Sequence, residues 1–275
     1  MNVYKQIVAV GAVVLALTLS GCQFINTIKA KDNLNQAAYA FNRGEYDTAL
    51  ELLKTALSQD PNLPQLKAYY GATLYAKYNL SGEEALAKEA LQVYQEIYEQ
   101  ESQKPNPDTQ SLSNAIAYIA TIYGNLNNKD EKRKWMLRRA DVPGMTDKDK
   151  AEVYYTLGTE YWGEATTITA KYRIMKYPEP EYNVPDAEKP KVVELANKGL
   201  EYVDRALSLA PEYSDAWVYK NLLLREKAYV ERDPQKRKAL MDEANKARDK
   251  AIELTKRKEA EQQQQQQQQQ PQPQQ

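Results

Sequence analysis

The chain has 275 residues, of which 42% are hydrophobic and 27% charged, enough apolar material to bury the core of one large or two small globular domains. Lysine and arginine number 37 against 38 acidic residues, and no basic stripe is dense enough to track a phosphate backbone, so nucleic acid is not an expected partner. Histidine is absent and cysteine occurs once, which excludes an imidazole general base, histidine metal ligands, an intramolecular disulfide and a thiolate zinc cluster; neither metal nor cofactor is expected.

At the amino terminus, Lys5 precedes a run without charge from Gln6 to Leu19, nearly all apolar from Ile7 onward, that ends in small residues. The apolar stretch 7–19 is shorter than the ~20 residues a membrane-spanning helix needs, and the pattern is that of a secretory signal peptide. The residues Leu19-Ser20-Gly21-Cys22 resemble the lipobox of bacterial lipoproteins, in which a small residue precedes a cysteine that is acylated before cleavage. The resemblance implies a signal peptide over 1–21, lipidation at Cys22 that anchors the protein without spanning the membrane, and a lipidated tether over 22–32. Gln23, rather than Asp, after the cysteine points by the sorting tendency of such proteins to the outer membrane, with the body facing the periplasm.

Beyond the tether a register of small and large residues recurs, and recurrence at such a period marks stacked supersecondary units. Ala56-Leu57-Ser58-Gln59-Asp60-Pro61 matches Ala206-Leu207-Ser208-Leu209-Ala210-Pro211; each ends a helical pattern, and another begins at Lys67 or Trp217. Ile116-x-x-Ile119-Ala120-x-x-Tyr123 and Tyr154-x-x-Leu157-Gly158-x-x-Tyr161 share a large, large, small, large spacing. These residues resemble the tetratricopeptide repeat, whose small residue on the first helix lets the second approach and whose proline stops the second helix. The resemblance implies an all-α fold over 33–258, a right-handed superhelix (solenoid) of about five antiparallel helix pairs.

In chain order, the first repeat carries Ala37, Gly44, Tyr46, Ala49, Ala56 and Pro61. The second opens with Lys67-x-x-Tyr70-Gly71-x-x-Leu74, its longer second helix predicted to start at the capping box Ser81-x-x-Glu84. A third follows from Ile116 through Trp135 to Ala140. The fourth is split: Tyr154 to Tyr161 form its first helix, Ala196 to Pro211 its second, and an insertion over 164–188 lies between. The fifth has Lys220-Asn221 where the family has Leu-Gly, and its last helix starts at Asp233-Pro234 with an apolar stripe of Leu240, Ala244, Ala247, Ala251 and Leu254. The tail 259–275 is rich in glutamine and proline, has nothing apolar to bury from Gln262 onward, and is expected to be disordered.

In the tetratricopeptide family the first helices of successive pairs line a concave groove. Carried over by register, the groove positions are Phe41, Asn42, Tyr75, Asn114, Asn125, Tyr155 and Trp162. Rings and amides together suit an extended protein or peptide ligand; the same rings equally fill gaps between repeats. The insertion offers a second surface with Tyr172, Tyr177 and Tyr182 among prolines. Acidic pairs such as Asp147 with Asp149, and Glu179 with Glu181, sit beside loops or helix starts where carboxylates solvate and cap, and the run from Lys129 to Arg139 reads as a wet helix face. No catalytic constellation stands out, so the expected function is a membrane-anchored interaction scaffold or envelope assembly factor rather than an enzyme. The alternative is a binding module for a small molecule or glycan that uses the tyrosine-rich groove.

Overall fold

The computed structural model describes residues 3–63, 65–176 and 180–269, with side chains from 23 to 266. Among them ten α-helices form five successive pairs: α1 (Val3–Asn42) with α2 (Tyr46–Gln59), α3 (Leu66–Ser81) with α4 (Glu84–Ser102), α5 (Thr109–Asn125) with α6 (Lys129–Ala140), α7 (Asp147–Thr169) with α8 (Lys189–Leu209), and α9 (Ser214–Val230) with α10 (Pro234–Gln269). The fold is all-α apart from one two-stranded hairpin, and the chain divides into two compact units, 1–138 and 139–275. Among the described residues no helix is long and apolar enough to cross a membrane.

In the first unit each helix from α1 to α4 packs on the next in sequence. Their buried residues recur at three- and four-residue steps, as a single buried helix face requires: Ala37 and Ala40 on α1, then Ala49, Leu53 and Ala56 on α2, then Leu66, Tyr70 and Leu74 on α3. α5 buries Leu112, Ala115, Ile116, Ile119 and Ile122 and starts at Asp108, whose carboxylate accepts the Ser111 amide hydrogen at 2.6 Å. Trp135 of α6 is buried edge-on against Tyr98, 5.1 Å between ring centroids. The α3–α4 turn departs from the predicted capping box. Ser81 belongs to the end of α3, Gly82 follows with φ 72°, and the Ser81 hydroxyl accepts from the Glu83 amide, so α4 begins at Glu84 without a side-chain cap. The left-handed glycine ends one helix before the serine can start the next.

The stretch 23–32, expected as a tether, is part of α1. It contains no glycine or proline to break the helix, Ala30 is fully buried, and Thr27 donates to the Asp60 carboxylate at 2.7 Å. At the other end of the chain α10 carries the helix through the glutamine run to Gln269, where disorder was expected. The helix is already nucleated at Asp233, whose carboxylate accepts from the amides of Gln235 and Lys236, and glutamine extends an existing helix at little cost.

In the second unit α7 packs on α8, α8 on α9 and α9 on α10, and α7 also touches α9. The predicted stripe of α10 is in place: Ala244, Ala247, Ala251 and Leu254 are buried and Leu240 is half-buried. The insertion is shorter than expected, because α7 continues to Thr169 with Ala165 and Thr169 both buried. A 3-10 turn (Ala170–Tyr172) then leads into an antiparallel hairpin of β1 (Arg173–Ile174) and β2 (Glu181–Tyr182), with Arg173 opposite Tyr182.

The α7–α8 crossing is built from backbone. A Cβ placed on Gly158 would lie 2.5 Å from Val203 Cγ2 and 3.2 Å from the Gly199 carbonyl oxygen. One placed on Gly199 would lie 2.5 Å from Leu223 Cδ2 and 3.3 Å from the Gly158 carbonyl oxygen. Gly163, one and a half turns further along α7, has nothing within 4 Å of its Cβ position. Gly158→Ala and Gly199→Ala are therefore each expected to cost about 1–3 kcal/mol of stability through overpacking, whereas Gly163→Ala gains about 0.5–1 kcal/mol from helix propensity. Urea unfolding of the three variants checks both signs.

Candidate functional site

In the first unit the side chains named for recognition fall into three groups. Tyr75 of α3 and Asn125 at the end of α5 meet directly: the Asn125 amide donates to the Tyr75 hydroxyl at 2.7 Å and to the Asn79 side-chain oxygen at 3.4 Å. Tyr75 is half-buried and lies edge-on to Tyr118 of α5, 6.1 Å between centroids at 82°. Tyr118 in turn stacks on the buried Tyr94, 4.3 Å and nearly parallel. Phe41 and Asn42 stand apart at the end of α1, the ring edge-on to Tyr46 and the amide exposed. Asn114 is exposed on α5 and accepts a hydrogen bond from Gln110.

The second unit repeats the arrangement with other residues. Tyr155 and Trp162 of α7 both lie edge-on to Tyr219 of α9, at 5.4 and 5.3 Å, and Tyr155 also tilts against Tyr213 at 5.0 Å. All four rings are half-buried and pack on the core formed by Ala151, Ala196, Val203, Ala206, Ala216 and Leu223. Burial, with the neighbouring Tyr219 and Asp215, pushes the Tyr155 phenol up to about 12, so it stays a neutral hydrogen-bonding group across the physiological range. Tyr118, Tyr213 and Tyr219 escaped the sequence reading. The signal for Tyr219 was present, since it follows Trp217 on a first helix, but Lys220-Asn221 broke the register used to find such positions.

Within the insertion, the side chains expected to meet a ligand are used as anchors. Tyr182 stacks on Tyr229 of α9 with 3.8 Å between centroids, and the Tyr172 hydroxyl donates to Glu188. Asp186 pairs with Arg232 and with Lys189, and the Arg232 hydrogen bond holds its carboxyl down at about 2. Tyr177 and Glu179 lie outside the described residues, as does the side chain of Cys22. At the start of α7 the Thr146 hydroxyl accepts from the Asp149 amide and donates to the Asp149 carboxylate, and Glu181 pairs with Lys176 in the hairpin, so both carboxylates serve local structure. Among the described residues no group of three potential ligands comes together to hold a metal ion.

One buried acid lies away from these faces. Glu226 of α9 is 4% exposed and accepts the Thr169 hydroxyl at 2.7 Å. Burial raises its carboxyl above the ordinary value, against the lowering effect of the hydroxyls of Thr169 and Thr166.

No family model matches the chain, and no curated protein matches its sequence. Among solved structures, a crystal structure of MamA protein is 16% identical, with 84% of this chain and 94% of that one covered at a TM-score of 0.49. YrrB, described as a TPR protein with an unusual peptide-binding site, is 13% identical over 82% of this chain and 90% of its own at 0.43. The TPR2AB domain of yeast Sti1 in complex with pHSP90 is 13% identical over 81% and 98% at 0.34. The helix-pair description rests on the packing of the chain itself.

The folded protein holds the Glu226 proton more tightly than the unfolded chain, whose carboxyl titrates near 4.5. Stability attributable to this residue is therefore full below about pH 4.5, falls as pH rises through the raised folded value, and stays lower above it. Glu226→Gln removes that dependence. The variant is expected to melt higher than the wild type at about pH 8, with the gap closing toward about pH 4, as thermal scans across that range will show.

Proposed function

We propose that the protein is a lipid-anchored interaction scaffold of the bacterial cell envelope, held in the outer membrane through Cys22 with its body on the periplasmic side. In this reading its helix-pair units hold extended segments of partner proteins on the faces of their first helices. The observation that carries it is the same in both units: rings from consecutive first helices meet edge to face, Tyr75 with Tyr118 and Tyr155 with Tyr219. In the first unit the exposed amide of Asn125 is bonded beside the ring. An extended peptide brings unpaired amide and carbonyl groups that such side chains satisfy, while the rings supply contact area already fixed in place. Stacking on a sugar or a small aromatic ligand is the less favoured reading, since the rings already occupy one another's faces and edges.

The anchor and the binding face are tested separately. Cys22→Ser is expected to leave the protein unprocessed or to release it from the membrane fraction; wild-type processing and partition in that variant would refute the anchor. For the face, a photo-crosslinking amino acid at Asn114 is expected to capture a discrete partner in intact cells, while the same probe at Glu51, exposed on the second helix α2, captures none. Asn125→Ala, an exposed substitution, should then reduce the yield from position 114 without lowering the melting temperature. Equal capture from 114 and 51 would remove the first-helix face as the binding surface.

A further inference from the structure

We propose that the first turns of α1 after Cys22 lie in the membrane interface, with Phe24, Ile25 and Ile28 set among the lipids. The three side chains are 68%, 51% and 52% exposed within five consecutive residues. The remaining large apolar side chains at the described surface occur singly or as the pair Ile174 and Met175. At 3.6 residues per turn they share an arc of about 100°. Thr27, bonded to Asp60, and the fully buried Ala30 occupy the other side of the helix and hold it against the first unit. Between the apolar arc and that packed side runs a cleft of mixed lining, with Gln23, Thr27, Lys31 and Asp60 beside Leu34 and Leu63. Lys29 and Lys31, both exposed, flank the apolar arc on either edge, where long cationic stems reach toward anionic headgroups.

The occupant follows from position. With a rise of 1.5 Å per residue, Phe24 lies about 3 Å and Ile28 about 9 Å along the axis from Cys22, so an acyl anchor there brings this arc to the bilayer surface, where an interfacial helix buries its apolar face. The placement rests on the acyl anchor at Cys22, and it adds that the anchor continues into a helix packed on the scaffold rather than into a free tether. The first unit would then be held at a defined angle to the membrane.

The test uses single tryptophan substitutions in the full chain: Phe24→Trp, Ile28→Trp, and Tyr39→Trp as a control, exposed on the same side of α1 and about 22 Å further along. Each purified protein is reconstituted into phosphatidylethanolamine–phosphatidylglycerol vesicles with brominated acyl chains, and fluorescence is compared with that of the unsubstituted protein. The probes at 24 and 28 are expected to lose about half of their emission and the probe at 39 almost none, as burial at interface depth requires. Weak, equal quenching at all three positions overturns the proposal. So does concentration-dependent protection of positions 24 and 28 without vesicles, which would place a second copy of the chain on this face. Flotation and the mass of the Cys22 peptide report on the anchor independently. An acylated chain that floats without quenching keeps the anchor and loses the interfacial helix, whereas an unacylated chain quenched at 24 and 28 does the reverse.

Discussion

The backbone contact between Gly158 and Gly199 sets the geometry of the second unit. Each carbonyl oxygen lies 3.2–3.3 Å from where the other residue's Cβ would be, so α7 and α8 pack closely where both side chains are missing. Leu223 of α9 then reaches into the space beside Gly199, so the next helix is positioned by the same missing side chains. The first unit uses a milder version: a Cβ on Gly71 would come 2.9 Å from the Tyr94 ring, so a bare position on α3 receives an aromatic from α4. Alanine does similar work along α1, α2 and α10, where Ala37, Ala49, Ala56, Ala244 and Ala247 are all essentially buried. Interiors packed this tightly leave little room for large rings at the helix crossings.

Many of the rings consequently lie half-buried at the margins, in keeping with a composition of 21 tyrosines and only 2 phenylalanines. A ring withdrawn from solvent needs a partner for its polar tip, and several tips are bonded. Tyr94 donates to the Ala68 carbonyl, Tyr172 to Glu188 and Tyr70 to Glu89. Each such bond joins different elements or distant parts of the chain, so tyrosine here fills space and braces the helices at once. A face bordered by braced rings is ordered before any ligand arrives and loses less conformational entropy on binding than a mobile one.

Much of this was legible because it is periodic. The small residue in Tyr154-x-x-Leu157-Gly158, the Ala-Leu steps that end at Pro61 and Pro211, and the α10 stripe depend only on helix spacing, and each sits where its spacing placed it. What escaped the reading depends on partners remote in sequence. Tyr182 looks like an exposed loop residue until Tyr229, on a different helix, is known to stack on it. Asn221 breaks the repeat pattern, yet it is buried because Arg225 donates to it and to Asn245 of α10, a polar network that no local pattern encodes. The boundaries of α1, α7 and α10 moved outward for a simpler reason: the added segments 23–32, 164–169 and 259–269 hold no proline or glycine, and a helix that has begun continues until packing or sequence ends it. Tyr75 and Asn125, 50 positions apart in sequence, were placed on one face by register and do meet, since both belong to first helices whose spacing the repeat fixes.

The charge pattern limits how any partner is chosen. Lysine, arginine and carboxylates nearly balance over the chain, and many are neutralised within one helix at three- or four-residue spacing: Lys88 with Glu84, Lys198 with Glu194, Arg205 with Glu201 and Lys238 with Asp242. Such exposed pairs contribute little to stability, but they cancel the far field that would steer a charged ligand from a distance. Other pairs join different elements, such as Asp186 with Arg232, and burial raises the Glu226 carboxyl above its ordinary value. Association on the proposed faces would then proceed at the rate of unsteered encounter, and discrimination among partners would rest on the fit of side chains between fixed rings and on amide hydrogen bonds. With the proposed anchor this would be a workable division of labour: anchoring would supply local concentration, which an electrostatic field would otherwise have to provide, and the helix faces would supply selectivity.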